Sequence, residues 1–95
     1  MISDLFRGKT LLVTGGTGSF GHAIVDRFLS TDIGEIRVFS RDEAKQDAMR
    51  HLYQHAHPEM SERIKFYIGD VRDVNSVRDA MTDVDKDDFL FRTRA

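Results

Sequence analysis

The chain has 95 residues, 40% hydrophobic and 32% charged, which suits one small globular domain or a piece of one and leaves too little for two. Its 14 basic and 16 acidic residues give a formal net charge of −2, so no net positive field is available to hold nucleic acid or an acidic membrane surface. The absence of cysteine excludes a disulfide framework, a thiolate zinc site and a cysteine nucleophile. No apolar run approaches the roughly 20 residues that span a bilayer. Asp4 and Arg7 stand where a signal peptide would carry its apolar segment, and a cytoplasmic location is expected.

Thr10, Leu11, Leu12 and Val13 form a short uninterrupted run ended by Thr14 and a glycine cluster, the pattern of a central strand buried on both faces. From Ser19 to Ser30 the apolar positions Phe20, Ala23, Ile24, Val25, Phe28 and Leu29 recur at spacings of three and four and predict a helix with one wide buried face, broken by Gly34. Glu35 to Ser40 reads as a second strand, with Ile36 and Val38 on one face and Phe39 on the other. Asp42 or Ser40 can cap a second helix whose apolar side comprises Ala44, Ala48, Met49, Leu52, Tyr53 and Ala56. The loop at Pro58 is expected to stop it. Ile64, Phe66 and Ile68 alternate with Lys65 and Tyr67 as a third strand ended by Gly69. Asp73 caps a third helix with Val74, Val77, Ala80, Met81 and Val84 on its buried stripe. Beyond it lie Asp83, Asp85, Lys86, Asp87 and Asp88, then Phe89-Leu90-Phe91, where a short fourth strand can begin, and an end carrying Arg92 and Arg94.

Strand, helix, strand, helix, strand, helix predicts parallel strands joined by crossovers. The fold class is therefore α/β, the N-terminal half of a Rossmann-type doubly wound parallel sheet. Residues 1–84 form the expected nucleotide-binding half-domain and 85–95 a divergent C-terminal tail. A fourth strand there would present an uncovered apolar edge, and pairing of that edge with another chain is one alternative use of the fragment.

Thr14-Gly15-Gly16-Thr17-Gly18-Ser19-Phe20-Gly21 lies directly between the first strand and the first helix. Gly15 permits a tight turn, Gly18 removes a side chain that would block a pyrophosphate, and Gly21 allows helix and strand to pack closely. Amides at the helix start and the macrodipole then favour a diphosphate. A glycine-rich turn of purely structural use is the competing reading. A nucleoside-triphosphate loop is excluded, because Gly21 is followed by His22-Ala23 and not by Lys and Ser or Thr.

Cofactor choice is made at the end of the second strand, where an acidic side chain would accept from the ribose 2′-hydroxyl of NAD. The chain has Ser40-Arg41-Asp42. Arg41 offers a donor fork to a 2′-phosphate and Lys45 follows one turn on, so NADP is expected, with NAD held open through Asp42. In the competing reading Arg41 and Lys45 pair with Asp42 or Glu43 in solvent. Asp70-Val71 at the end of the third strand either reaches the adenine edge or starts the helix. His51, His55 and His57 invite a metal reading, but no third ligand accompanies the pair on one helix face, and no metal is expected. Glu43, Asp47 and Arg50 read as an exposed face with local ion pairs.

Three segments in order, TGGTGSFG, FSRDEAKQDAMR and KFYIGDVRD, resemble the extended short-chain dehydrogenase/reductases of polysaccharide biosynthesis. Within that family the likeness is greatest to UDP-N-acetylglucosamine 4,6-dehydratases, some also C5-epimerases, which make capsule and O-antigen sugars. The resemblance implies Thr17, Gly18, Ser19 and Phe20 on the pyrophosphate, Ser40, Arg41 and Lys45 around the 2′-phosphate, and Asp70 and Val71 near adenine. It implies a reaction that takes hydride from sugar C4 onto NADP⁺, eliminates water across C5 and C6 and returns the hydride to C6. The family's catalytic lysine motif and sugar-binding part follow the fourth strand. No catalytic residue is therefore assigned here, a UDP-sugar substrate is expected only of the longer protein, and no dehydratase turnover is expected of this chain. A truncated or frameshifted product of a longer gene, a noncatalytic NADP-binding module or sensor, and a homo-oligomer are further expectations.

Overall fold

The computed structural model describes residues 6–15, 17–82 and 89–92. Gly16, the acidic run with Val84, and Arg94 lie outside them. In chain order the elements are β1 (Thr10–Thr14), α1 (Ser19–Leu29), β2 (Glu35–Ser40), α2 (Glu43–Ala56), α3 (Pro58–Ser61), β3 (Ile64–Ile68), α4 (Val74–Ala80) and β4 (Phe89–Arg92). The strands form a parallel sheet in the order β3-β2-β1-β4. The chain thus steps outward from β1 through β2 to β3, then returns to the other side of β1. That reversal opens a crevice at the carboxyl ends of the strands.

The expected fourth strand is present, with Leu11 opposite Phe89 and Val13 opposite Phe91. Part of segment 85–95 is thereby backbone-paired to the centre of the sheet.

Side-chain alternation along β1 and β2 divides the core between the two faces. Leu11, Val13, Ile36 and Val38 pack with Val25 and Leu29 of α1 and with Met49 and Tyr53 of α2. On the opposite face Leu12 and Phe39 pack with Ala80 of α4, flanked by Tyr67 and Val77. β1 is buried on both sides, as its unbroken apolar run predicts.

The helices bury narrower stripes than their composition suggests. In α1 only Gly21, Val25 and Leu29 are fully buried. Ala23 is exposed and Phe20, in the first turn beyond the sheet edge, is 60% exposed. In α2 the buried residues are Gln46, Met49 and Tyr53, while Ala44, Ala48, Leu52 and Ala56 face outward. The line at i, i+3 and i+7 decides which side meets the sheet, and a glutamine occupies it. In α4 Ala80 is buried, Val77 is half-buried, and Val74 and Met81 are exposed. Pro58 ends α2 but opens the one-turn α3, since its preset φ suits a first helical position.

Helix starts follow the predicted caps. Asp42 accepts from the Lys45 amide at 2.9 Å, and Asp73 accepts from the Asn75 amide at 3.0 Å and the Ser76 hydroxyl at 3.0 Å. Gly69 sits where β3 turns toward α4. A Cβ there would lie 2.5 Å from Ser76 Cβ and 2.9 Å from the Phe39 ring, so glycine is required by close approach.

Two arginines hold helix ends. Arg63 donates to the carbonyls of Leu29 (2.6 Å), Ile33 (2.8 Å) and Thr31 (3.1 Å), closing the C-terminal end of α1. Arg37 on β2, only 7% exposed, donates to the Ala80 carbonyl at 2.9 Å and to that of Thr82, and pairs with Glu35. Its guanidinium also lies over the Tyr67 ring, 5.5 Å from the centroid.

Tyr53 donates its hydroxyl to Asp26 across the α1–α2 contact. Burial, then the hydrogen bond and charge of Asp26, push the phenol well above its ordinary value of 10.0. A raised folded-state value means stability is complete below the unfolded value and is lost as pH climbs toward the folded one. Tyr53→Phe is expected to cost about 1 kcal/mol at neutral pH through the lost hydrogen bond. That difference should narrow above pH ~10, which urea melts of both proteins at pH 7 and above 10 would check. A difference constant with pH would refute the coupling.

Candidate functional site

A cleft of about 700 Å³ opens at the carboxyl ends of β1 and β2. One wall is the loop and first turn of α1, comprising Gly15, Thr17, Gly18, Ser19, Phe20 and Gly21. The other is the end of β2 and start of α2, comprising Ser40, Arg41, Asp42, Glu43 and Lys45. Nine of the eleven residues singled out by sequence reading therefore meet around one space, although some lie more than twenty positions apart.

The loop's path follows from two glycines. Gly15 turns with φ +67°, the left-handed region that favours glycine. Its amide donates to the Phe39 carbonyl at 2.8 Å, fastening the loop to β2. Gly18 is the N-cap of α1 and has no side chain to satisfy the helix amides. Among the described residues, a Cβ on Gly18 would find only the Gly15 carbonyl within 4 Å, at 3.8 Å. Packing against the described residues does not demand glycine at this position. The space it leaves belongs to the cleft, at the positive end of a helix dipole, and suits a diphosphate.

On the opposite wall Ser40 is 7% exposed and Gln46 lies beneath it. Gln46 Nε2 donates to Ser40 Oγ at 3.0 Å, the Tyr67 carbonyl at 2.7 Å and the Ser40 carbonyl at 3.4 Å. Because the Ser40 oxygen already accepts, its own hydrogen is left to donate into the cleft. Gln46 thereby ties the ends of β2 and β3 together and orients a cleft hydroxyl. Sequence reading missed it because it sought apolar residues on α2. Its spacing from Met49 and Tyr53 was the available signal.

Arg41 holds its guanidinium at the rim, with its side chain 63% exposed. It does not pair with Asp42 or Glu43. Its acidic neighbour is Asp70, at 3.6 Å, while Asp42 is engaged in capping α2. Asp70 and Val71 do not line the cleft. Both Asp70 oxygens accept from Arg72, whose side chain and then amide, assisted by the Arg41 charge, hold the carboxyl well below the usual carboxylate range. The helix-start cap is Asp73, so Asp70 does not serve that purpose. Val71 is exposed beside Val74, Val77 and Arg78 in a separate shallow hollow.

Among the described residues no group of three His, Asp or Glu side chains could hold a metal ion. His51 lies 3.7 Å from Asp47 on its own helix. No described helix is long and apolar enough to cross a membrane.

A parallel sheet that reverses at β1, with a glycine-opened helix start facing a cleft at the strand ends, defines the N-terminal half of a Rossmann-type fold. The model of the family described as polysaccharide biosynthesis protein matches residues 11–94, and the chain belongs to that family. The match runs through the segment that sequence reading set apart as divergent. A relative named UDP-glucose 4-epimerase from Rickettsia bellii is 56% identical over 95 residues, covering 96% of this chain and 25% of its own length. The chain therefore spans about a quarter of that relative. The crystal structure of Pen from Bacillus thuringiensis is similar with a TM-score of 0.79 at 31% identity, over 95% of this chain and 25% of that one. A short-chain dehydrogenase/reductase from Brucella melitensis shares the fold, with a TM-score of 0.65 at 23% identity over 81% of this chain and 30% of its own.

Proposed function

We propose that the cleft binds a nicotinamide dinucleotide, NADP in preference to NAD, as the nucleotide-binding portion of an enzyme that remodels a UDP-sugar for polysaccharide biosynthesis. The observation that carries this reading is the pairing of two walls. A side-chain-free helix start on one suits a diphosphate, and Ser40, Arg41 and Lys45 on the other suit a further phosphate. In this reading Thr17, Gly18, Ser19 and Phe20 hold the pyrophosphate and Gly15 and Gly21 shape the loop, while Asp70 and Val71, which do not line the cleft, would meet adenine only past its rim.

The bound dinucleotide would supply a hydride acceptor and donor for the sugar. This chain's own contribution is to bind and orient it, with Ser40 donating and Arg41 and Lys45 neutralising charge. The name of the Rickettsia relative favours epimerisation at C4, whereas the TGGTGSFG, FSRDEAKQDAMR and KFYIGDVRD segments favour 4,6-dehydration. Both begin by oxidising C4, so the demands on the cleft are the same. The groups that separate the two outcomes are not among the residues assigned here.

Titration of the chain with NADP⁺ and NAD⁺ separately, beside Arg41→Ala, tests the reading. Wild type should bind NADP⁺ more tightly. Arg41→Ala should lose about tenfold toward NADP⁺, one charge-assisted contact, and little toward NAD⁺. Equal affinity of wild type for the two would refute the preference, and no binding of either would refute the site.

A further inference from the structure

We infer that Arg72 sets how strongly the cleft prefers a 2′-phosphate over a bare ribose hydroxyl, by keeping the Asp70 carboxylate from closing on Arg41. The inference rests on the reading above that Arg41 receives that phosphate. Arg72 itself lines no part of the cleft.

The geometry begins with the pairing of β2 and β3, which sets Ser40 opposite Ile68 and lets the Gly69 amide donate to the Ser40 carbonyl at 2.9 Å. Arg41 and Asp70, one residue beyond on the first strand and two on the second, are thereby brought to the same rim. Two arginines then compete for one carboxylate. Arg72 contributes its amide to Oδ1 at 2.9 Å, Nε at 3.1 and 3.2 Å to the two oxygens, and Nη2 to Oδ2 at 2.8 Å. Arg41 Nη1 stands 3.6 Å from Oδ2, beyond hydrogen-bond distance.

Arg72 wins because it is local. The amide closes an Asx-type turn two residues on, and the guanidinium then needs little further ordering to add its fork. Arg41 reaches Asp70 from a different strand. The result is an Arg41 guanidinium held beside Asp70 by charge yet with its donors uncommitted among the described residues. Without Arg72, Asp70 would have one close cation left and would take Arg41 as a forked pair. An incoming 2′-phosphate would then have to displace a carboxylate, whereas NAD, with a hydroxyl at that position, would not. Any contact of Asp70 with adenine is common to both dinucleotides and cancels in their ratio.

Calorimetric titration of the whole chain with NADP⁺ and NAD⁺ at low salt provides the test, using wild type, Arg72→Ala, Asp70→Asn, the double variant and Arg41→Ala. The ratio of NADP⁺ to NAD⁺ affinity should fall about three- to fivefold in Arg72→Ala, the scale of an exposed ion pair. It should stay within about twofold of wild type in Asp70→Asn and return to wild type in the double variant. A ratio unchanged by Arg72→Ala overturns the inference. So does a double variant as low as Arg72→Ala, because Arg72 would then act only as added positive charge. Failure of the underlying reading looks different: Arg41→Ala would leave the ratio at its wild-type value, and the inference would fall with it.

Discussion

Arg37→Met is expected to destabilise the domain by about 3 kcal/mol, the loss of two charge-assisted hydrogen bonds to carbonyls at about 1.5 kcal/mol each. Methionine matches much of the arginine's length and apolar stem, so the loss is not mainly one of packing. What disappears is a guanidinium that, at 7% exposure, joins Glu35 on its own strand to the carbonyls of Ala80 and Thr82 at the end of α4. Those carbonyls sit at a helix C-terminus, where the macrodipole also favours a cation. α4 is the element that covers Leu12 and Phe39, so loosening its end exposes the smaller of the two core clusters. At roughly 4 to 8 °C per kcal/mol for a domain this size, the melting temperature should drop by about 12 to 24 °C. Urea unfolding of Arg37→Met beside the double variant with Glu35→Gln checks the cause. The double variant should recover part of the loss by removing the orphaned carboxylate. A single-variant cost below about 0.5 kcal/mol, the ordinary range for surface substitutions, would refute the clamp.

Gly18→Val is expected to separate binding from folding. The backbone at Gly18 is extended, with φ −80° and ψ 176°, a conformation valine adopts without strain. Among the described residues the new Cβ would meet only the Gly15 carbonyl, at 3.8 Å. Stability should change by less than about 1 kcal/mol, since glycine was already a cap without a side-chain acceptor. The two added methyl groups, however, occupy the approach to the start of α1. Forfeiting two charge-assisted contacts to a diphosphate at about 1.5 kcal/mol each corresponds to a loss of roughly a hundredfold in dinucleotide affinity. NADP⁺ and NAD⁺ should suffer alike, unlike the selective effect of Arg41→Ala. A Gly18→Val protein that melts like wild type and binds both dinucleotides undiminished would remove the diphosphate from this loop.

Much of this is legible in the sequence alone. The continuous apolar run of β1, the alternation in β2 and β3, and the caps at Asp42 and Asp73 are local signals, each set by side-chain periodicity or by one side chain's reach to a nearby amide. The glycine loop could be placed because it stands between a strand and a helix. The weak point was the facing of the helices. Ala44, Ala48, Leu52 and Ala56 were expected on the same stripe as Met49 and Tyr53, yet of these only Met49 and Tyr53 meet the sheet, joined by Gln46. Small and apolar residues tolerate solvent, and Gln46 is buried because its Nε2 reaches carbonyl and hydroxyl acceptors although its Oε1 has no partner among the described residues, so polarity alone misjudges the face.

What the chain's residue order determined by itself was the alternation of strands and helices, the turn at Gly15, and the residue types gathered at the end of β2. Those depend on neighbours a few positions away. Only the folded sheet decided that Arg41 faces Asp70 and not Asp42, that Arg72 occupies that carboxylate, and that Arg37 reaches across to the end of α4. Each of those contacts joins a strand end to a segment brought alongside by parallel pairing and the return to β1. Side-chain competition for one carboxylate or one set of carbonyls is settled by distance, which no local pattern encodes.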